Sequence, residues 1–286
     1  MTTIARYKSR IVSTLLAVLV LISSHHLLAD DARIISTNAS VTELLFALGK
    51  DESLIAIDVT SQIPTNYRAL ANIGYHRNLS AEGLLSLNPS HIIGSDHMGP
   101  PPVISALLKT DIQLIQLVNS KNIEDVRSNI QNLAKTLNTT NKAGPLLKKL
   151  EQQEQQLKNN RWSKKKVAFL LSMDPQKLRL GGLDTTANAF IEVLNANNVV
   201  DFNNYQNVSA ESILALDADI IIVAGRNQDL AIQELFEANP ILKHTKANIN
   251  NAIYSINSSS IIAGLSIAAI DEAIRLAQAS SQVVKR

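Results

Sequence analysis

The chain has 286 residues, of which 45% are hydrophobic and 18% charged, and this globular composition excludes a disordered or low-complexity protein. The length suits one large domain or two of ordinary size, and we favour two. The formal net charge of +2 gives no indication of a nucleic-acid partner, and the lack of cysteine excludes disulfides, thiolate metal sites and a lipid-modified cysteine anchor.

Residues 1–29 have the pattern of a secretory signal peptide. The basic start "MTTIARYKSR" precedes a short apolar run, and Ala29 is the small residue expected before cleavage at Asp30. Leu27 stands where a small residue is usual, so an uncleaved anchor is the alternative, although the run is short for a membrane span. The segment therefore predicts an exported, periplasmic protein.

Residues 30–122 predict a first α/β lobe, because short apolar runs alternate with helical patterns. The predicted order is strand "ARIIST", helix "NASVTELLFALGK", strand "SLIAIDV", helix "AEGLLSL", strand "HIIGS", helix "VISALLKT" and strand "IQLIQL". Ser40 is the predicted N-cap of the first helix and Gly49 its stop. This alternation predicts a mostly parallel sheet with helical crossovers.

Residues 123–163 predict a connecting helical region, since "LLKKLEQQEQQLKNN" and its surroundings contain no strand pattern. Residues 164–286 then return to α/β alternation and predict a second lobe. Its elements are strand "KKVAFLLS", helices "TTANAFIEVLNA" and "AESILAL", strands "ADIIIVAG" and "NAIYSI", and a last helix "IAAIDEAIRLAQAS".

An internal repeat supports two similar lobes. The matching segments are "LSAEGLLSLNPSHII" at 79–93 and "VSAESILALDADIII" at 208–222, with seven identities in fifteen positions. Each copy predicts a helix followed by a buried strand, with Ser80 or Ser209 as N-cap and Glu82 or Glu211 in the first turn. The predicted fold is α/β, with two similar lobes on central, mostly parallel sheets, joined by a long connecting helix and separated by a ligand cleft.

No enzyme motif is found in the sequence. There is no phosphate loop, nucleophile elbow, HExxH pattern or close carboxylate pair, and "GGLDTT" at 181–186 lacks the spacing of a dinucleotide-binding loop. Glu82 and Glu211 could serve as general acids, but their matched places at helix starts favour capping or a shared external partner.

The stretch "NIGYHRNLS" at 72–80 is the main candidate for ligand binding. If residues 73–77 are extended, Tyr75 and Arg77 share one face and His76 points to the other. A guanidinium favours a nearby phenolate, and a phenolate is a hard donor suited to ferric iron. A tyrosine that packs over a lobe edge beside a solvated arginine is the alternative interpretation.

Residues after two predicted strands are further candidates. His97 and Met98 follow "HIIGS", at the sheet edge where open α/β sheets bind ligands. Met173 follows "VAFLLS" in the second lobe, and a methionine thioether can ligate haem iron. The alternatives are a loop histidine without a ligand and methionines that serve only packing.

From about residue 33 to the C-terminus, the sequence resembles the helical-backbone class of substrate-binding proteins of ABC importers. Within that class it is most similar to the periplasmic haem (hemin)-binding proteins. The shared strings are "RIISTNASVTELLFALG", "LIAIDVTSQIP", "NIGYHRNLSAEGLLSLNPSHII", "GPPPVISALL" and "GGLDTTANAFIEVLNANNVV". The string "TELLFALG" would equally suit cobalamin or ferric-siderophore carriers, whereas the form GYxR(x)LSxEGLLSL is characteristic of the haem branch.

The resemblance implies that Tyr75 is an axial ligand to the iron of ferric haem b, with Arg77 supporting the phenolate or pairing with a propionate. Some members add a histidine from the second lobe, where this chain has Met173. The sixth position is therefore open between Met173, His97, a second stacked haem and five-coordinate iron. "AGLSIAAID" replaces the family's Gly-Pro-Arg string before the last helix, so the arginine of that string is missing.

The resemblance also implies transport without catalysis. Glu82 and Glu211 would dock on arginines of an inner-membrane ABC permease dimer, which works with its ATPase, and the internal repeat would match the two-fold symmetry of that dimer. The expected protein is a monomeric periplasmic carrier that captures haem for iron acquisition. A ferric-siderophore or cobalamin carrier of the same fold is the alternative. A connecting helix further predicts little closure of the lobes.

Overall fold

The computed structural model describes residues 32–158, 160, 162–174 and 176–283, so the predicted signal peptide lies outside the described residues. Five of the described strands form the N-terminal sheet: β1 (Ile34–Ser36), β2 (Leu54–Ile57), β3 (Ala71–Asn72), β4 (His91–Ser95) and β5 (Gln113–Leu117). Their order is β3-β2-β1-β4-β5 and every pairing is parallel. The helices of this lobe are α1 (Ala39–Ala47), α2 (Ala81–Ser86) and α3 (Pro101–Leu107), with a 3-10 turn at Asp51–Ser53.

The connecting region contains two helices, α4 (Ile123–Thr136) and α5 (Thr140–Lys158), rather than one continuous helix. Asn138 lies between them with a φ of 55°, a left-handed conformation that asparagine tolerates better than most residues and that ends the helical repeat. The two helices pack against each other, and Arg127 of α4 forms an ion pair of 2.8 Å with Glu154 of α5.

Six of the described strands form the C-terminal sheet: β6 (Lys166–Ser172), β7 (Arg179–Gly181), β8 (Asn197–Asn198), β9 (Tyr205–Asn207), β10 (Ile220–Gly225) and β11 (Ile253–Asn257). The order is β11-β10-β6-β7-β9, with β8 beside β6, and β7 runs antiparallel to both neighbours. The helices are α6 (Thr186–Val193), α7 (Ala210–Ala215), α8 (Ala231–Ala238), α9 (Lys246–Ile249) and α10 (Ile267–Val283), with 3-10 turns at Pro240–His244 and Ser258–Ile261. Within the described ranges, no helix combines the length and the apolar character needed to cross a bilayer.

These sheets confirm the predicted α/β fold, but the predicted N-cap of α1 was wrong. Asn38 caps this helix, because its side chain accepts a hydrogen bond from the Val41 amide at 2.9 Å. Ser40 lies inside the first turn and donates to the Asn38 side chain at 2.9 Å. Gly49 follows the helix with a φ of 68°, as expected of a residue that stops a helix.

The two copies of the internal repeat have the same local structure. Ser80 and Ser209 cap α2 and α7, each through its hydroxyl, so these two predictions are confirmed. Asn88 and Asp217 occupy equivalent positions after the helices, and both have a φ of 48°. The following strands, β4 and β10, each lie in the interior of their sheet. The sequence repeat is therefore a repeat of a capped helix, a left-handed stop and a buried strand.

The lobes are joined by a continuous apolar cluster as well as by the connecting helices. It includes Leu45 of α1, Ile130 of α4, Phe190 of α6 and Ile270 of α10, all fully buried. Asp271 of α10 is bound by side chains of α5, with Lys149 Nζ 2.8 Å from its carboxylate. Because the last helix packs on both lobes, their relative position is set by core packing and not by the linker alone.

Candidate functional site

A cleft of about 1080 Å³ lies between the lobes, at the carboxyl ends of strands from both sheets. Small-molecule pockets typically have volumes of roughly 300–1,000 Å³, so this cleft has room for a large ligand. The N-terminal wall is formed by the loops after β2, β3, β4 and β5, and the C-terminal wall by residues around β6, β7, β10 and β11.

Tyr75 occupies the start of a tight turn after β3. The Val59 amide donates to the Gly74 carbonyl at 3.0 Å, and the Asn78 amide donates to the Tyr75 carbonyl at 2.8 Å. Gly74 has a φ of 79°, a conformation that glycine adopts without the steric cost of a Cβ atom. The Tyr75 side chain is 44% exposed and lines the cleft, so the turn offers its phenol to a ligand.

His76 lies on the opposite side of the same turn. Its side chain is buried, and its Nδ1 is 3.3 Å from a carboxylate oxygen of the buried Asp58. The ring centroids of His76 and Tyr75 are 4.3 Å apart. The segment is a turn rather than an extended strand, yet it separates the side chains as the alternation predicted, with Tyr75 and Arg77 in the cleft and His76 behind them.

Arg77 and His97 meet at the N-terminal wall of the cleft. Arg77 Nη2 lies 3.3 Å from His97 Nδ1, and a guanidinium can only donate, so Nδ1 accepts and the neutral ring carries its proton on Nε2. Partial burial and, secondly, the charge of Arg77 lower the pKa of His97, which keeps the imidazole neutral at pH 7. In this tautomer His97 presents an N–H donor to a ligand.

Met98 follows the same strand as His97 but is not part of the cleft wall. It is buried in the apolar cluster of the N-terminal lobe, together with Ile35, Leu84 and Ile92. Its side chain packs against Gly94, where a Cβ atom would lie 2.4 Å from the Met98 sulfur. The expectation that Met98 supports a ligand is therefore wrong, because its thioether fills space between the sheet and its helices.

The C-terminal wall presents Met173, Arg179, Tyr205 and Arg226. Met173 follows β6, is 39% exposed and lines the cleft, as the sequence predicted for the second lobe. The Arg179 guanidinium lies 5.4 Å from the centroid of the Tyr205 ring. Burial raises the pKa of Tyr205, so this phenol stays protonated more firmly than a free one.

Among the residues that the structure describes, four cationic side chains line the cleft: Arg77, Lys121, Arg179 and Arg226. In the part of the chain that the structure describes, no carboxylate lies within ion-pair distance of any of them. The last three were not predicted from the sequence, where only the missing arginine of the Gly-Pro-Arg string was noted for the second lobe. Arg226 directly follows the buried strand β10, so the rule that identified His97 would also have found it.

Glu82 and Glu211 lie outside the cleft, in the first turns of α2 and α7. Both are exposed. Hydrogen bonds from its own backbone amide and then from Ser209 lower the pKa of Glu211, which keeps this carboxylate charged. Because crossover helices run antiparallel to their strands, both residues lie at the carboxyl edges of the sheets, on the side of the molecule where the cleft opens.

Comparisons with known proteins agree with this architecture. Residues 34–259 match the family model described as "Periplasmic binding protein". The periplasmic heme-binding protein HutB of Vibrio cholerae is 32% identical, with a TM-score of 0.77 over 87% of this chain and 99% of that chain. A periplasmic heme-binding protein from Pseudomonas aeruginosa is 27% identical, with a TM-score of 0.76 over 86% and 91% of the two chains. A vitamin B12-binding protein of Pectobacterium atrosepticum is 23% identical over 212 residues, or 71% of this chain and 75% of that protein.

Proposed function

Because the chain belongs to the periplasmic binding protein family, we propose that it captures ferric haem in the inter-lobe cleft and delivers it to an inner-membrane ABC permease. The observation that carries this proposal is the exposed phenol of Tyr75 in a cleft large enough for a tetrapyrrole. The two similar solved structures are of periplasmic heme-binding proteins, which supports the same ligand. The role is binding and transfer, without catalysis, in the periplasm.

Tyr75 is the proposed axial ligand. A phenolate is a hard anionic donor that suits ferric iron, and Tyr75 lines the cleft on the same wall as the Arg77 guanidinium. Met173 is the proposed contact from the second lobe, because its thioether lines the opposite wall. His97 carries its proton on Nε2 when Nδ1 accepts from Arg77, which suits a hydrogen bond to a propionate better than a bond to iron.

The charge of the cleft supports haem over cobalamin. Haem carries two propionates, and Arg77, Lys121, Arg179 and Arg226 supply cations that lack a protein carboxylate within the described residues. Guanidinium groups pair well with carboxylates because two parallel N–H donors match the two oxygens. The similarity to vitamin B12-binding proteins keeps cobalamin as the second candidate, but its single phosphodiester would use fewer of these cations than two propionates do.

Titration of the purified protein with hemin tests the proposal. We expect a Soret band that saturates, and an affinity about 100-fold lower in Tyr75→Phe, since the ring is kept and only the ligating oxygen is removed. Tyr67→Phe is the matched control, because the Tyr67 hydroxyl donates to the Asp51 carbonyl at 2.6 Å outside the cleft. A saturating response to cyanocobalamin or a ferric siderophore, with none to hemin, would replace haem by that ligand.

A further inference from the structure

The buried pair behind Tyr75 has no role in the function proposed above. Asp58 is 1% exposed and follows β2, whereas His76 is 1% exposed and lies in the turn after β3. The Asp58 carboxylate accepts hydrogen bonds from the hydroxyls of Thr60 and Ser61 at 2.7 and 2.8 Å, and from the Ser61 amide at 3.1 Å. His76 Nδ1 completes this set at 3.3 Å. The pair therefore ties together the loops after β2 and β3, which both belong to the N-terminal wall of the cleft.

A buried histidine and a buried carboxylate are costly to retain unless each satisfies the other. The hydroxyls and amide of the loop at 58–61 could satisfy Asp58 without His76, so the imidazole is not needed to compensate the carboxylate. The rest of the ring is in contact with the Tyr75 ring, with centroids 4.3 Å apart and planes inclined by 51°. The position of the His76 ring therefore affects the orientation of Tyr75 more than it affects the hydrogen bonding of Asp58.

Within the described residues, no hydrogen bond of the Tyr75 hydroxyl to a protein group is found. The direction of the phenol is consequently set by its backbone turn and by the ring beneath it. The turn fixes the Cα position through the Val59 and Asn78 amides, but it leaves the side chain free to rotate. An imidazole that is anchored to Asp58 and packed against the phenol limits that rotation.

We propose that His76, anchored by Asp58, is a positioning residue that holds the Tyr75 ring in the direction from which it binds the ligand. This role rests on the proposed function and adds a residue that determines how well Tyr75 performs it. His76 is not itself a ligand, because its ring is buried on the far side of the turn and its Nδ1 is engaged by Asp58. Pre-oriented ligating groups bind more tightly because less freedom is lost on binding.

The first arm of the test uses the protein without hemin. Tyrosines are replaced by 3-fluorotyrosine, and the ¹⁹F resonance of Tyr75 is assigned by its loss in Tyr75→Phe. His76→Asn keeps an N–H donor near the Nδ1 position but removes the ring against the phenol. Asp58→Asn keeps the shape of the anchor, and it serves as the second variant if His76→Asn does not fold. The matched control is His244→Asn, an exposed histidine outside the cleft.

We expect the Tyr75 resonance to shift towards that of a free fluorotyrosine in His76→Asn, to shift less in Asp58→Asn, and to stay in place in His244→Asn. The second arm measures transfer of hemin to apomyoglobin. We expect hemin to dissociate about tenfold faster from His76→Asn and about threefold faster from Asp58→Asn, with a changed charge-transfer band in the former. His244→Asn should match the unaltered protein.

The two arms separate failure of the positioning role from failure of the proposed function. An unchanged Tyr75 resonance in both variants would overturn the positioning role even if hemin binds. A shifted resonance with an unchanged rate of hemin dissociation would also overturn it, since the direction of the ring would then not matter to the ligand. Absence of any hemin band in the unaltered protein would overturn the proposed function and this role together.

Discussion

The two lobes are alike at the N-terminal ends of α2 and α7, and they differ in the residues that line the cleft. The helix starts have the same cap, the same acidic residue and the same left-handed stop. The cleft walls instead pair Tyr75, Arg77 and His97 on one side with Met173, Arg179 and Arg226 on the other. This difference is what the proposed function requires, because a two-fold partner would match a repeated surface, whereas a ligand with unlike faces needs unlike walls.

The carboxylates repeated in the two lobes, Glu82 and Glu211, are tested by removing them, and the loss of hemin uptake is the largest effect we expect. Glu82→Ala and Glu211→Ala together should reduce uptake of hemin through the cognate importer by at least tenfold, while hemin affinity in solution stays unchanged. Each single variant should lose less, because the other lobe still docks. Glu237→Ala, an exposed carboxylate on α8, is the control. Equal uptake by the double variant and the control would remove the functional meaning of the repeat.

Glu43 of α1, which contacts Ser266 and Ala268 at the start of α10, gives a prediction on how stability depends on pH. Burial raises the pKa of Glu43 to about 7, although hydrogen bonds with the Ser266 side chain and the Ala268 backbone oppose this. An unfolded glutamate titrates near 4.5, so the folded state retains a proton that the unfolded state releases. The free energy of unfolding must therefore fall as the pH rises from about 4.5 to about 7.

Glu43→Gln should abolish this fall in the free energy of unfolding, because an amide keeps the hydrogen bonds without a buried charge. We expect the variant to be more stable than the original protein by about 1–3 kcal/mol at pH 8, and to have nearly the same stability at pH 4. Urea unfolding of both proteins across this range measures the difference. A difference that does not depend on pH would show that Glu43 is not the titrating group.

The asymmetric cleft is tested from its C-terminal wall. Arg226→Gln should weaken hemin binding about fivefold at physiological ionic strength and by a smaller factor at 1 M salt, because salt screens a solvent-exposed cation. Arg275→Gln is the matched control, since Arg275 pairs with Glu272 at 2.7 Å and does not line the cleft. The same loss in both variants would mean that net charge, rather than the position of Arg226, determines affinity.

The smallest expected effect concerns the caps of the repeat. Ser80→Ala and Ser209→Ala should each lower the free energy of unfolding by about 1 kcal/mol, because each removes one hydrogen bond to a free helix amide. Ser86→Ala, at the end of α2, is the control and should cost less. Denaturant unfolding of the three variants measures the costs. A clearly different loss of unfolding free energy in the two variants would show that the caps do not contribute equally in the two copies of the repeat.

The sequence by itself determined the elements that depend on near neighbours. Apolar spacing gave the central strands β1, β4, β6 and β10, and short-range capping patterns gave the starts of α2 and α7. The same signals did not give the short strands β3, β7, β8 and β9, which have two or three residues and exist because a neighbouring strand is in place. Asn38 and Ser40 were both possible N-caps of α1, and the choice of Asn38 likewise depended on the folded backbone.

The candidate site divides in the same way. The motif around Tyr75 and Arg77 could be found from residues adjacent in the sequence, and their separation from His76 followed from the alternation of side chains. Only the tertiary structure decided that Met98 fills the core, that Arg179 reaches the cleft, and that Asp58 lies behind His76. These contacts join residues that are distant in the chain, and the packing that brings them together depends on the whole fold rather than on any local pattern.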